Sequence, residues 1–148
     1  MANATETKFG DPETRIAQAA HWTLLLRPKQ PTLGSLVLVC REPVQAFSAL
    51  SPAAFADLRE LVARIEPMLK QFVAYERINY LMLMMVDPDV HFHVIPRYAG
   101  SRSFAGVDYP DAGWPGPPAL DATVTPDVAA RDALLAQLRD AWARTCHE

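Results

Sequence analysis

Residues 89–97 read Asp-Val-His-Phe-His-Val-Ile-Pro-Arg. Two imidazoles stand two residues apart, and a carboxylate stands two residues before the first of them. On a β-strand successive side chains point to opposite faces, so Asp89, His91 and His93 share one face while Val90, Phe92 and Val94 share the other. One face builds core; the other presents a carboxylate and two imidazoles in a row. Imidazole titrates near neutrality and serves as a nucleophile, a general acid or base, or a metal ligand.

Three chemistries fit this row. His-x-His on a strand supplies two adjacent metal ligands, with Asp89 as a third. The other ligand types, His21, His147, Cys40 and Cys146, show no supporting spacing. Alternatively, a neutral imidazole attacks phosphorus and holds it covalently until water displaces it, while a polar neighbour orients the ring and fixes its tautomer. The third reading is a binding module in which the histidines only hold a phosphate or carboxylate.

The elements that must carry this strand are legible in outline. The chain of 148 residues is half apolar, which suits a single domain (1–148) with a core of its own. Net charge is −3 and no basic run exceeds two residues, which argues against nucleic acid or an anionic membrane as partner. No apolar run is long enough to span a bilayer. Two cysteines far apart, outside any CxxC, read as free thiols of a reducing cytoplasm.

Residues 1–10 read as a disordered lead, and Asp11-Pro12 as the start of a short helix towards Ala19. Trp22–Leu26 and Ser35–Cys40 read as an antiparallel strand pair around a loop. Ser51-Pro52 opens a long amphipathic helix, whose stripe runs Phe55, Leu58, Leu61, Val62, Ile65, Met68 and Leu69; Pro67 is expected to kink or split it. Ile78–Met85 is apolar on both faces, as a central strand would be. Residues 99–120 form a Pro/Gly-rich loop, and residues 121–148 hold a C-terminal helix. The sum is α+β with a mostly antiparallel sheet.

His91-Phe92-His93-Val94-Ile95-Pro96-Arg97 resembles the end of the motif that names the histidine-triad (HIT) family, His-φ-His-φ-His-φ-φ with φ apolar. Leu33-Gly34-Ser35-Leu36-Val37-Leu38-Val39 is similar to the family's Pro-Gly-His-x-Leu-Val strand. The resemblance runs from about Trp22 to Tyr98, roughly half the chain. It implies a HIT-like fold: a five-stranded antiparallel sheet with a long helix and a C-terminal helix, commonly in a homodimer with the sheets side by side. It implies a hydrolase or transferase acting on the α-phosphate of nucleoside phosphoramidates, dinucleoside polyphosphates or related esters. By motif position His91 is the nucleophile, and His93 orients and binds phosphate. No metal or cofactor is required, because imidazole is itself the leaving group of the second step.

The chain departs from the pattern at three places. Asp89 stands at the first motif histidine, where its carboxylate is expected to hydrogen-bond an imidazole. Ser35 stands at the histidine of the Gly-His strand. The family's Gly-Gln-Ser/Thr phosphate loop is absent, and the apolar side chains of Leu83–Val86 in its place cannot donate to phosphate. A non-catalytic nucleotide-binding protein of the same fold is therefore the rival reading.

Further candidates for substrate binding are Arg27 and Lys29, in the loop where family members meet the nucleoside or ribose, and Asn79, the one amide near the missing phosphate loop. Arg97 is placed to meet phosphate, or an acid across a dimer interface. Trp114, among prolines and glycines, suits stacking on a base. Each has a plainer alternative: a solvated charge for the cations, loop packing for Trp114.

Overall fold

The computed structural model describes residues 2–145. Met1, Cys146 and His147 lie outside the described residues, as does the end of the expected C-terminal helix. Five strands form one antiparallel sheet: β1 (Arg15–Gln18), β2 (Trp22–Leu26), β3 (Leu36–Cys40), β4 (Arg77–Leu81) and β5 (His91–Arg97), in the order β1-β2-β3-β5-β4. A short helix, α1 (Ala4–Lys8), precedes them. A long helix, α2 (Pro52–Val73), links β3 to β4. A small hairpin, β6 (Ser101–Phe104) and β7 (Val107–Pro110), and a final helix, α3 (Val128–Arg144), complete the order.

The sheet is apolar on both faces, but the faces differ. Trp22, Leu24 and Leu26 of β2, Leu36, Leu38 and Cys40 of β3, and Phe92 and Val94 of β5 all turn towards α2 and α3. There they meet Leu61, Ile65, Met68 and Leu69 of α2 and Leu134, Leu138 and Trp142 of α3. The alternate residues Leu25, Val37 and Val39 form a second, smaller cluster with Phe9 on the opposite face. The amino-terminal residues therefore cover that face.

Several elements differ from the sequence expectation, each for a local reason. The lead is ordered: Asn3 caps α1 by accepting from the Glu6 amide, while Glu6 accepts from the Asn3 amide, a reciprocal capping box. Residues 15–18 form a strand instead of extending a helix from Asp11-Pro12, because their amides and carbonyls pair with β2. Ile78–Met85 is not a central strand. Only Arg77–Leu81 is extended, and it lies at the sheet edge; β5 takes the inner place between β3 and β4. The chain then leaves the sheet through Met84, which has φ 53°, and Pro88 could not have joined a ladder in any case. Residues 99–120 contain the β6–β7 hairpin, turned by Ala105 and Gly106 at φ 50° and 77°, the geometry of a type I′ turn.

Pro67 does not split α2, which runs unbroken for 22 residues. Proline removes the amide that would bond the Ala63 carbonyl. Both residues lie on the exposed side of the helix, where that carbonyl is open to solvent, and Ile65, Met68 and Leu69 hold the two halves against the sheet.

Gly34 enters β3 at φ 88°, and a Cβ there would lie 3.3 Å from Leu69 Cδ2. Both the left-handed backbone and the closeness of α2 call for glycine. At the far end of β5, Arg97 makes a buried two-pronged pair with Asp111, at 2.7 and 3.1 Å. Two more of its donors go to Asn79 and to the Gly116 carbonyl. Asp111 also accepts from the Tyr98 amide, so one carboxylate ties the turn after β7 to the end of β5. Removing one member of a buried pair strands the other charge. Asp111→Ala is expected to lower stability by about 3–5 kcal/mol in urea unfolding; a loss below about 1 kcal/mol would show that the turn is held by something else.

Candidate active site

β5 brings His91 and His93 to the face opposite α2 and α3. The register His91↔Val39 and His93↔Val37 places both imidazoles over β3. They are 2% and 7% exposed, with ring centroids 5.2 Å apart and edge-on to one another. Phe9 packs on both, at 6.2 Å from His91 and 5.7 Å from His93.

The tautomer of His91 follows from its partner. Nδ1 lies 2.7 Å from the backbone carbonyl of Asp89. A carbonyl only accepts, so Nδ1 carries the hydrogen, and in the neutral ring Nε2 keeps the lone pair. This corrects the expectation for Asp89. Its main-chain oxygen, not its carboxylate, orients the imidazole. The carboxylate, in a residue 8% exposed, instead accepts from the Thr5 amide at 3.1 Å, and the Asp89 amide lies 3.3 Å from Thr5 Oγ1.

Both histidines line a cavity of about 380 Å³. Its other walls are Lys8 and Phe9 from the amino-terminal segment, Arg27-Pro28-Lys29 from the loop after β2, and residues 83–87 from the loop after β4. Three cations line it against one acid, Asp87, and Lys8 Nζ lies 2.7 Å from that acid. The cavity therefore favours an anionic ligand. Arg27 donates to the Lys29 carbonyl, and burial lowers its guanidinium pKa from the ordinary value. Two buried nitrogens, Arg27 Nε and His93 Nδ1, have no hydrogen-bond partner among the described residues.

Burial first, then the guanidinium of Arg27 and the neighbouring His91 ring, push His93 down from its ordinary value of 6.5 to about 4. Desolvation and like charge both disfavour the imidazolium. At neutral pH His93 is thus a neutral ring, able to donate through one nitrogen and accept through the other.

Of the residues singled out from sequence, Arg27, Lys29, His91 and His93 meet in this cavity. Ser35 does not: it is buried, donates to the Thr32 carbonyl at 2.8 Å and accepts from the Thr32 amide. It fastens the turn before β3, and Gln30 accepts from the amides of Gly34 and Ser35 in the same turn. Asn79, Arg97 and Trp114 gather at a different cavity of about 450 Å³ at the other end of β5. Arg97 shares the histidine face but stands four residues from His93, about 13 Å along a strand. Lys8, Phe9 and Asp87 were missed. The capping-box pattern Asn3-Ala4-Thr5-Glu6 was the available sign that the lead folds.

A HIT-domain family model matches residues 11–100 of the chain. The structure is similar to a histidine triad protein from Bradyrhizobium japonicum, with TM-score 0.74, 20% identity, and coverage of 95% of this chain and 96% of that one. A histidine triad protein from Sinorhizobium meliloti 1021 gives the same four values. A third, from Marinobacter aquaeolei VT8, gives TM-score 0.69 at 22% identity, covering 88% and 89%. No curated protein matches. At these identities the likeness establishes the fold.

The position of His93 carries a pH dependence. Its folded value lies below its ordinary one, so between about pH 6.5 and pH 4 the unfolded chain binds a proton that the folded protein refuses. Stability is therefore lost as pH falls through that window. Comparing urea midpoints at neutral pH and at about pH 4.5, His93→Gln is expected to lose less stability on acidification than the wild type. Equal losses would show that His93 is not the group refusing the proton.

Proposed function

The chain belongs to the histidine-triad family, and from that premise we propose that it transfers a nucleotidyl group from a nucleoside phosphoramidate or dinucleoside polyphosphate to His91 and then to water. Family membership itself suggests nucleotide binding or hydrolase/transferase activity. The observation that supports the finer reading is the His91 hydrogen bond to the Asp89 carbonyl. It aims a lone pair from Nε2 on a ring that lines a cavity rich in positive charge.

The chemistry balances without a cofactor. The Nε2 lone pair forms a bond to the α-phosphorus, and the bond to the leaving amine or phosphate breaks with its electron pair on the leaving group, an amine taking up a proton from solvent as it leaves. Water then attacks the same phosphorus; the P–N bond breaks, and its pair returns to Nε2. The proton released by water goes to bulk solvent or to a neighbouring base. Arg27 and Lys29 neutralise the phosphate and the charge that develops on it, and Lys8 neutralises the bound phosphate. Neutral His93 is suited to hydrogen-bond a phosphate oxygen without the cost of a buried cation.

The rival reading, a nucleotide-binding protein without turnover, is favoured by one observation. The loop at the cavity offers Leu83, Met84, Met85 and Val86 where phosphate needs donors. A metal enzyme is less well supported, because among the described residues no group of three or more His, Cys, Asp or Glu is placed to hold an ion. Among the described residues no helix is long and apolar enough to cross a membrane. The free, buried thiol of Cys40 suits a cytoplasmic setting. The outer edge of β4, half-exposed and at the end of the sheet, suits a homodimer that continues the sheet; sedimentation as a species of chain mass, not twice that, would remove the dimer.

Incubation with an adenosine phosphoramidate, followed by intact-mass measurement, decides between turnover and binding. The wild type is expected to gain one adenylate, and His91→Ala none, with turnover lower by roughly three orders of magnitude or more. Binding of adenosine monophosphate with neither adduct nor turnover would establish the rival.

A further inference from the structure

The cavity has a wall that lies outside the residues matched by the family model. Residues 3–9 run back over the histidine face and are tied to it in succession. Asn3 Nδ2 donates to the Cys40 carbonyl at the end of β3, at 2.9 Å. The Thr5 amide donates to the Asp89 carboxylate, and the Asp89 amide to the Thr5 hydroxyl. Lys8 pairs with Asp87 at 2.7 Å. Phe9 lies on both imidazoles and belongs to the apolar cluster with Leu25, Val37 and Val39.

We propose that residues 3–9 are a fixed wall of the nucleotide site, that Asp89 is the positioning residue latching this wall through Thr5, and that Lys8 supplies a phosphate-binding charge. The proposal rests on reading the cavity as the nucleotide site. Four observations carry it. Thr5 and Asp89 are joined twice, donor and acceptor on each side, so the strap is held in register with the head of β5. The Thr5 amide is one of the helix-start donors that lack an intrahelical partner, and a carboxylate is a strong acceptor for it. The main-chain carbonyl of Asp89 itself sets the His91 ring, so the latch and the ring orientation share one residue. Lys8 lines the cavity beside Leu83–Val86. An ammonium has three donors, and the bond to Asp87 uses one, leaving two that can turn to an anion.

The test combines a readout that needs no substrate with two that do. Hydrogen exchange of the 3–9 segment reports docking of the wall. Calorimetric binding of adenosine monophosphate and steady-state turnover of an adenosine phosphoramidate report the site. Asp89→Ala is expected to speed exchange of the segment about tenfold or more and to raise KM and the monophosphate Kd about tenfold. Asp89→Asn keeps a side-chain oxygen for the Thr5 amide, and should stay within about twofold of wild type in all three. Thr5→Val, which removes the hydroxyl acceptor, gives a milder opening should Asp89→Ala not fold. Lys8→Met should raise KM about tenfold with kcat within about twofold, the mark of a binding charge.

Unchanged exchange in both Asp89→Ala and Thr5→Val would overturn the latch. Faster exchange with unchanged KM and Kd would show that the segment is a cover and not a wall of the site. A wild type that neither binds the monophosphate nor turns over the phosphoramidate overturns the nucleotide reading and the role of Lys8 with it, while the exchange measurement still decides the latch.

Discussion

Everything in this structure hangs on the two-residue period of β5. The strand is held on both edges, by β3 and by β4, so its register is fixed twice. Phe92 and Val94 must then enter the main core, where Phe92 meets Trp22 at 6.0 Å, while His91 and His93 must emerge on the opposite face. A slip of one residue would bury both imidazoles under α2 and expose the apolar residues. The packing of the large core and the placement of the chemistry are one constraint, which is why a site of two histidines can be held without loops.

That placement creates a second requirement. The face that carries the histidines is flanked by Leu25, Val37 and Val39, which are as buried as the residues of the main core. An antiparallel sheet tolerates one wet face when that face is polar; this one is not. The amino-terminal segment meets the need by laying Phe9 over the valines and the imidazoles together. The cover that satisfies the hydrophobic demand also dries the site, and dryness is the leading cause of the depressed His93 value. Apolar burial and the protonation state of the site are thus set by the same ring.

The part of the molecule that repeats at short range was readable from its residues. The strand pair around the Gly34 turn, the capped start of α2, the histidine strand and the final helix all declare themselves through alternation, helical spacing or a cap followed by proline. What was not readable depends on partners distant in sequence. Ile78–Met85 looks like a central strand because both of its faces are apolar, yet position in a sheet is decided by which strand pairs with which, and it is β5 that pairs with β3. Arg97 and Asn79 look available for substrate until Asp111, fourteen residues further on, claims the guanidinium. Ser35 stands where the family pattern has a histidine, but the turn of Gln30 and Thr32 needs its hydroxyl. The amino-terminal helix is too short for any periodicity to show; its only trace is the capping pair Asn3 and Glu6, and what stabilises so short a helix is its docking.

The least expected residue of the motif is the acid at position 89, and its surroundings remove the difficulty it poses. A carboxylate next to a phosphate raises the local negative potential and would weaken an anion site if it faced the ligand. Here the carboxylate faces the strap and is matched to a backbone amide, while the other nearby acid, Asp87, is matched to Lys8. Among the described residues, Asp87 is the one acid in the wall of the cavity that Arg27 and Lys29 also line. The balance inside therefore stays positive although the motif has exchanged a base for an acid. The exchange also changes what the position does. An imidazole there would be a third ring on the face; a carboxylate there is an acceptor for a helix amide, and through it the segment that carries Phe9 and Lys8 becomes part of the same rigid unit as the histidines. On the proposed reading, the donors that the apolar loop of Leu83–Val86, with Met85 and Val86 85% and 82% exposed, does not provide come from Lys8 of that segment, by charge instead of by amides.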